Sequence, residues 1–275
     1  MKAAATRSAP LWFLMLLPAS AMMVQAVAAP AQESKTSATG AKTWIGHYEE
    51  VERFMATAKV LEMEEVPIGV TRPKKIRLEP GGPVDYIAFK ALTPGIQKGF
   101  YESYKCEIAA YLMDRLIGLD MVPPKVERRV QGNIGAAVMW VKNTKSWKEL
   151  GGAPKPPPDQ QARWTRQLSR AKMFDNLIGN PDPNLGNWLV DTEWNLILID
   201  HSRAFRTENE LFHKMITVDQ QLWEQIKALD EARLKLALGK WLGSSELRAV
   251  LRRRDRMQQE IDKMVADRGD IIWIR

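Results

Sequence analysis

Residues 175–205 constrain this chain more than any other stretch, because polar residues stand there at fixed places between two short apolar runs. Asn187 comes directly before the first run, and Asp200 comes directly after the second. Two such runs joined by a short turn are typical of a β-hairpin. A hairpin would bring Asn187 and Asp200 side by side, with Asp182 on the loop just before them. The sequence therefore predicts that an amide oxygen and two carboxylates meet in one small space.

These three side chains suit chemistry on phosphate. Hard divalent cations such as Mg²⁺ bind oxygen ligands, commonly one or two protein carboxylates completed by water and substrate phosphates. Asn187 and Asp200 are the candidate metal ligands, and Asp182 is the candidate for orienting an attacking hydroxyl. Taken singly, each residue would more often bond its own backbone in an Asx turn. Their joint spacing favours a site, and Asp175, at the end of the preceding predicted helix, is expected to brace the loop.

The same positions carry a resemblance to a known family. The pattern Gly-Asn-x-Asp-x-x-x-x-Asn-x-Leu, followed by an apolar strand and Asp-x-x-x-Ala-Phe, resembles the atypical kinase-like superfamily. Its members include the phosphatidylinositol 3- and 4-kinases, the HipA-type kinases and the secretory-pathway casein kinases. The matching residues are Gly179, Asn180, Asp182, Asn187, Asp200, Ala204 and Phe205.

The resemblance implies an α+β fold of two lobes, in which a small antiparallel sheet and one helix lie over a mainly helical lobe. The kinase-like domain would span residues 44–275, with the small lobe over about 64–142 and the large lobe over about 159–275. ATP and Mg²⁺, or Mn²⁺, would bind in the cleft between the lobes. The implied activity is phosphoryl transfer to a hydroxyl of a protein, a lipid or a small molecule.

One departure from the family pattern keeps other reactions open. Many members follow the catalytic Asp with a basic residue or a His, whereas this chain has Pro183 and Asn184. AMP transfer or glutamylation on the same fold is therefore an alternative, as is an exported pseudokinase that binds nucleotide without turnover. A structural exported domain with a fortuitous loop is the remaining interpretation.

A lysine and a glutamate earlier in the chain fit the same interpretation. Lys90 ends an apolar run, and a buried ammonium group requires a carboxylate or phosphate partner. Glu107 lies at the edge of the apolar stripe of a helix predicted over residues 102–117, and Glu102 is the competing partner. The resemblance implies that Lys90 binds the phosphates of the nucleotide and that Glu107 holds Lys90.

Two other segments are candidates for binding the nucleotide. The turn that contains Gly69 and Thr71 would fold over the phosphates, although with a single glycine it is also compatible with a simple hairpin. The strand predicted over residues 136–141 would lead out of the small lobe. Met139 and Val141 on that strand are therefore the candidates for the hinge that meets adenine.

The N-terminus has the order of a secretory signal. Residues 1–29 contain a basic start, an apolar run and an Ala-Val-Ala sequence, which is typical of a cleaved signal peptide. Residues 30–43 read as a linker, and residues 44–61 as a helix against the domain. We therefore expect an exported protein, periplasmic or secreted. An uncleaved membrane anchor, or a disordered leader on a cytosolic enzyme, is the alternative.

Charge and cysteine content limit the partners. The net charge of +7 is modest, and no basic run alternates with aromatic residues, so we expect no nucleic-acid partner. The single cysteine, Cys106, excludes an internal disulfide framework. The last predicted helix, residues 247–268, carries many arginines, which would contact an acidic protein or anionic lipid or would simply face solvent.

Overall fold

Antiparallel strands and helices alternate along the chain in a computed structural model, which describes Met1 and residues 40–66, 73–182 and 184–275. The strands are β1 (Val60–Glu65), β2 (Lys74–Leu78), β3 (Tyr86–Lys90), β4 (Gly95–Gln97), β5 (Phe100–Glu102), β6 (Lys125–Val130), β7 (Asn133–Met139), β8 (Thr144–Ser146), β9 (Trp188–Asp191), β10 (Leu196–Leu198), β11 (Val218–Asp219) and β12 (Trp273–Ile274). The helices are α1 (Tyr48–Thr57), α2 (Tyr104–Ile117), α3 (Gln161–Ile178), α4 (Gln220–Lys227), α5 (Glu231–Leu238) and α6 (Ser244–Arg268). The predicted α+β class is confirmed.

The small lobe is a five-stranded antiparallel sheet with a helix on each face. Its strand order is β1-β2-β3-β7-β6. Side chains alternate between the two faces of a strand, and β7 shows this directly. Ala137 and Met139 join the core that includes α1, whereas Ala136 and Val138 join the one that includes α2. The sheet thus fixes α2, and with it Glu107, beside the end of β3.

The prediction of one helix over residues 44–61 is wrong at its C-terminal end. The helix α1 ends at Thr57, and Val60–Glu65 is an edge strand paired with β2. Opposite charges face each other across this pair, with Glu62 bonded to Arg77 and Glu64 within 3.4 Å of Lys75. Such cross-strand pairs stabilise a sheet. These pairs need the partner strand β2, and the spacing of apolar residues within 44–61 gives no sign of that partner.

The large lobe packs its helices around α3 and α6. Buried apolar side chains from both helices share one core, among them Phe174 and Leu177 from α3 and Val250 and Met257 from α6. A three-stranded sheet in the order β10-β9-β8 lies against α3. This arrangement places the end of α3, which leads into the loop of Asp182, next to the β9–β10 hairpin.

One arginine assigned by sequence to the surface of the last helix is buried. Arg253 is 0% exposed, and its guanidinium donates hydrogen bonds to the carbonyl oxygens of Leu177, Arg206 and Glu208. A neighbour, Arg254, bonds the carbonyl of Leu229. Some of the arginines on α6 therefore bind backbone carbonyls within the protein and do not form a cationic surface.

Some predictions fall outside the described residues. They concern the signal segment from residue 2 onward, most of the linker, Gly69, Thr71 and Pro183. Within the described part of the chain, no helix combines the length and apolar character needed to cross a bilayer.

Candidate active site

The β9–β10 hairpin brings two of the predicted site residues together. Leu198 pairs with Trp188 in its ladder, and the next amide, that of Ile199, donates to the carbonyl of Asn187 at 3.0 Å. The residue after Ile199 is Asp200, so the two side chains emerge from adjacent positions at the open end of the hairpin. The sequence prediction of this hairpin therefore matches the structure.

Asp200 has an unusual backbone and one engaged carboxylate oxygen. Its φ of 61° lies in the left-handed region, which is uncommon for residues other than glycine and costs free energy. Oδ1 accepts hydrogen bonds from the Lys90 ammonium at 2.7 Å and from the Ser202 hydroxyl at 3.3 Å. Within the described residues Oδ2 accepts none, and the side chain is 31% exposed. One oxygen is therefore presented outward.

The loop that carries Asp182 is stiffened by its own side chains. Asn180, Asp182 and Asn184 each accept a hydrogen bond from the backbone N–H two residues further on, at 3.3, 3.0 and 2.8 Å. These are successive Asx turns. The second oxygen of Asp182, Oδ2, accepts from the Asn187 amide nitrogen at 3.2 Å. Asp182 can therefore hold the loop and contact Asn187 at the same time, because the turn uses Oδ1 and the contact with Asn187 uses Oδ2.

Lys90 joins the two lobes. Its ammonium donates to Glu107 Oε1 at 2.6 Å in the small lobe and to Asp200 Oδ1 at 2.7 Å in the large lobe. The competing partner, Glu102, instead pairs with Arg203 at 2.8 Å. Of the two glutamates considered from the sequence, the structure therefore places Glu107 against Lys90.

The electrostatics of this pair follow from burial and charge. Burial lowers the pKa of Lys90, but Asp200 and Glu107 together outweigh it and raise the pKa above its ordinary value. Burial raises the pKa of Glu107, but Lys125 and Lys90 hold it well below its ordinary value. Both groups are therefore charged at neutral pH.

Two members of this network were missed by the sequence analysis. Lys125, on β6, donates from its ammonium to Glu107 Oε2 at 2.5 Å and lies 3.0 Å from His201 Nδ1. Burial and then the charge of Lys125 lower the pKa of His201 well below its ordinary value, so the ring is neutral and Nδ1 accepts. The amide of His201 also donates to Glu107 at 3.2 Å. In the sequence nothing distinguishes Lys125 from a surface lysine, because the strand that it opens, Lys125–Val130, is mostly charged.

Lys125→Met is expected to lower the free energy of unfolding by about 3 kcal/mol, because it breaks a buried ion pair and leaves Glu107 Oε2 without its ammonium partner. Chemical denaturation of the purified variant measures this. Lys142→Met is the matched control, since Lys142 pairs with Asp85 on the surface, where ion pairs contribute about 1 kcal/mol or less. Equal effects of the two substitutions would contradict the buried role of Lys125.

The two predicted hinge residues, Met139 and Val141, differ in their place relative to β7. Met139 is the last residue of β7, and its amide already donates to the carbonyl of Pro124 at 2.9 Å. That amide is therefore not open to a ligand. Val141 lies beyond the strand and is buried, and its carbonyl accepts a hydrogen bond from the Thr144 hydroxyl at 3.3 Å.

The donors at the hairpin fit a hard divalent ion that also binds phosphate. Asp200 and Asn187 carry oxygen atoms of this kind at adjacent positions on the hairpin. Among the described residues no group of three His, Cys, Asp or Glu side chains forms a complete metal cage. Magnesium sites in nucleotide enzymes typically use one or two carboxylates, with water and substrate phosphates as the other ligands. The chemistry of this donor set therefore agrees with such an ion.

Comparison with solved structures decides the fold. The chain matches the Golgi casein kinase with a TM-score of 0.62 at 15% identity, covering 82% of this chain and 78% of that one. The Golgi casein kinase with Mn and ADP bound gives a TM-score of 0.60 at 15% identity, covering 82% and 77%. This chain has the atypical kinase-like fold. The predicted two-lobed kinase-like architecture is therefore confirmed.

A Helicobacter pylori proinflammatory kinase, CtkA, also matches, with a TM-score of 0.48 at 10% identity over 78% of this chain and 97% of that one. No protein-family model matches the sequence. A comparison with curated protein sequences finds no relative either.

Proposed function

We propose that this chain is a phosphotransferase that uses ATP and a divalent cation to phosphorylate a hydroxyl group. One observation carries the proposal. The Lys90 ammonium lies between Glu107 and Asp200, and the hydrogen-bonded pair Asp182 and Asn187 stands beside Asp200 on the same hairpin and loop. Phosphoryl transfer needs a cation on the phosphates, oxygen ligands for a metal and a carboxylate near the acceptor hydroxyl. Side chains suited to all three roles stand together here on a kinase-like fold, and this supports the proposal.

Lys90 would bind the phosphates of ATP. Its charge is secured by Glu107, which stays bonded to the ammonium from the small-lobe side. The contact with Asp200 is the one that phosphate oxygens would replace, because Asp200 is partly exposed whereas Glu107 is fully buried. Glu107 is thus a positioning residue, and Lys125 holds its second oxygen.

Asp200 and Asn187 would hold the metal, Mg²⁺ or Mn²⁺. When bound, such an ion would neutralise charge on the transferred phosphoryl group. The Asn187 side chain is already oriented for this role, since its nitrogen donates to Asp182 and so leaves its oxygen for another partner. The Golgi casein kinase, which shares this fold, has been solved with Mn and ADP bound, and this supports the binding of a nucleotide together with a divalent cation.

Asp182 would accept the proton of the acceptor hydroxyl. Its carboxylate is only half-buried, and the Asx turns on either side restrict its movement. A carboxylate held in this way orients the hydroxyl for attack and draws on its proton in the transition state. Gly69 and Thr71 over the phosphates, and Val141 at the adenine, complete the proposed nucleotide site.

Export is part of the proposal. The order of basic, apolar and small residues over 1–29 supports a cleaved signal peptide. N-terminal sequencing of the protein purified from its native host would test this, and Met1 intact in a soluble cytosolic fraction would overturn it.

The decisive experiment for the reaction is mass spectrometry of a generic protein acceptor incubated with the purified chain, ATP and Mg²⁺ or Mn²⁺. The acceptor should gain a phosphoryl group. Gain of an AMP group would instead support nucleotide transfer, the alternative that Pro183 and Asn184 after Asp182 leave open. Absence of any metal-dependent nucleotide binding in calorimetry would overturn both.

A further inference from the structure

Two buried polar atoms face each other beneath the loop of Asp182. They are Oδ2 of Asp175, in the last turn of α3, and Nε2 of His213, in the segment that follows Asp200. Neither atom has a hydrogen-bond partner among the described residues, and the distance between them is 3.6 Å. Unpaired buried polar atoms are costly. Two of them opposite each other indicate a hydrogen bond that a small movement completes.

The position of His213 is not accidental, because its backbone is clamped. The Asn176 side chain accepts from the His213 amide at 2.8 Å and donates to the His213 carbonyl at 2.8 Å. Asn176 is fully buried on α3, next to Asp175. These two bonds fix the backbone of His213 beside α3, and from there the ring reaches Asp175.

Asp175 is connected in turn to Asp182. The Asn180 amide nitrogen donates to Asp175 Oδ1 at 2.9 Å, and the Asn180 amide oxygen accepts from the backbone N–H of Asp182 at 3.3 Å. A contact at Asp175 is thus one side chain away from the candidate catalytic carboxylate.

We propose that Asp175 and His213 are a proton-sharing pair of positioning residues, whose hydrogen bond fastens the segment after Asp200 to the loop that carries Asp182. The role in positioning rests on the proposed function, whereas the hydrogen bond does not. One proton always lies between the two atoms. Either protonated Asp175 donates to Nε2, with the ring proton on Nδ1, or the ring carries its proton on Nε2 and donates to the carboxylate.

The surroundings place the change between these two forms near neutral pH. Burial raises the pKa of Asp175 to about 7, the charge of Asp182 acts in the same direction, and the hydrogen bond from Asn180 opposes it. Burial and the nearby charge of Lys172 lower the pKa of His213, so its ring is neutral there. As pH rises through about 7, Asp175 releases its proton to solvent, and the ring moves its proton from Nδ1 to Nε2 by exchange with water. The bond persists while its donor changes.

Nitrogen NMR of histidine-labelled protein tests the pair directly and needs no activity. The chain has three histidines, so the signals can be assigned by single substitutions. In the wild type the Nε2 signal of His213 should shift with a midpoint at a pH of about 7. In Asp175→Asn the new amide can donate to Nε2 while its oxygen still accepts from Asn180, which locks the ring proton on Nδ1. The shift near neutral pH should then disappear.

Enzyme kinetics test the positioning. His213→Phe keeps a ring and removes the nitrogen, so kcat should fall roughly tenfold through misplacement of Asp182, with the KM for ATP unchanged. Asp175→Asn should retain kcat, because it keeps both hydrogen bonds, and Asp175→Leu should lose it. His47→Phe is the matched control and should behave as wild type, because His47 is exposed and lies just before α1.

The outcomes separate the two proposals. A His213 signal that stays constant across neutral pH, or one that titrates identically in Asp175→Asn, would overturn the pair. An unchanged kcat in His213→Phe would overturn the positioning role. A wild type that shows the His213 transition but binds no nucleotide would leave the pair standing and overturn the proposed function. Thermal melting of each variant identifies any that is unfolded. If His213→Phe or Asp175→Leu is unfolded, the NMR comparison of wild type with Asp175→Asn still tests the hydrogen-bonded pair.

Discussion

Asp200→Ala is expected to weaken ATP binding in the presence of Mg²⁺ by at least roughly 100-fold. Loss of even an outer partner of a metal ligand typically costs about 10- to 100-fold in metal affinity, and this change removes a proposed ligand outright. It also removes the large-lobe partner of Lys90, so the ammonium would be held by Glu107 alone. Calorimetric titration of ATP into wild type and variant, with and without metal, measures the loss.

The matched control for this experiment is Asp182→Asn, whose amide oxygen can still accept from the Asn187 amide nitrogen. Asp182 is expected to face the acceptor hydroxyl and not the phosphates, so this substitution should leave ATP affinity within about twofold of wild type. Equal ATP affinity in wild type and Asp200→Ala, with metal present, would count against the assignment of Asp200 as a ligand.

Asp182→Asn is expected to reduce turnover by roughly 10²- to 10⁴-fold, the typical contribution of a general base. The substitution keeps the shape of the side chain and removes the charge that draws on the acceptor proton. The new amide oxygen can still accept from Asn187, so the metal ligands should keep their positions, and only the acceptor of the Asx turn to Asn184 is lost. The measurement is the initial rate of acceptor phosphorylation at saturating ATP. A variant with full activity would refute the role given to Asp182.

Local spacing was enough to predict the centre of the site. Asn187, Asp200 and Asp182 are close in the chain, and one hairpin and one turn bring them together whatever the rest of the fold does. Lys90 and Glu107 could also be predicted, because a buried lysine requires a partner and the next helix offers only two glutamates near its start.

The residues that sequence reasoning missed depend on long-range packing. Lys125 and His201 are 76 positions apart and meet only after the two lobes assemble around Glu107. Likewise, Val60–Glu65 becomes a strand because β2 is available to pair with it. No periodicity within the segment itself reports such a partner, and the same holds for the burial of Arg253 under three carbonyls.

The double engagement of Lys90 has a consequence for the order of binding. Without ligand, its ammonium already neutralises Asp200 from 2.7 Å, so a divalent cation that arrives by itself meets a competing positive charge. Phosphates that arrive with the cation give Lys90 a replacement partner and release Asp200 at the same time. Nucleotide and metal should therefore enter as one complex. Calorimetry with Mn²⁺ alone should show little heat, whereas ordinary saturable binding of the free ion would exclude this order.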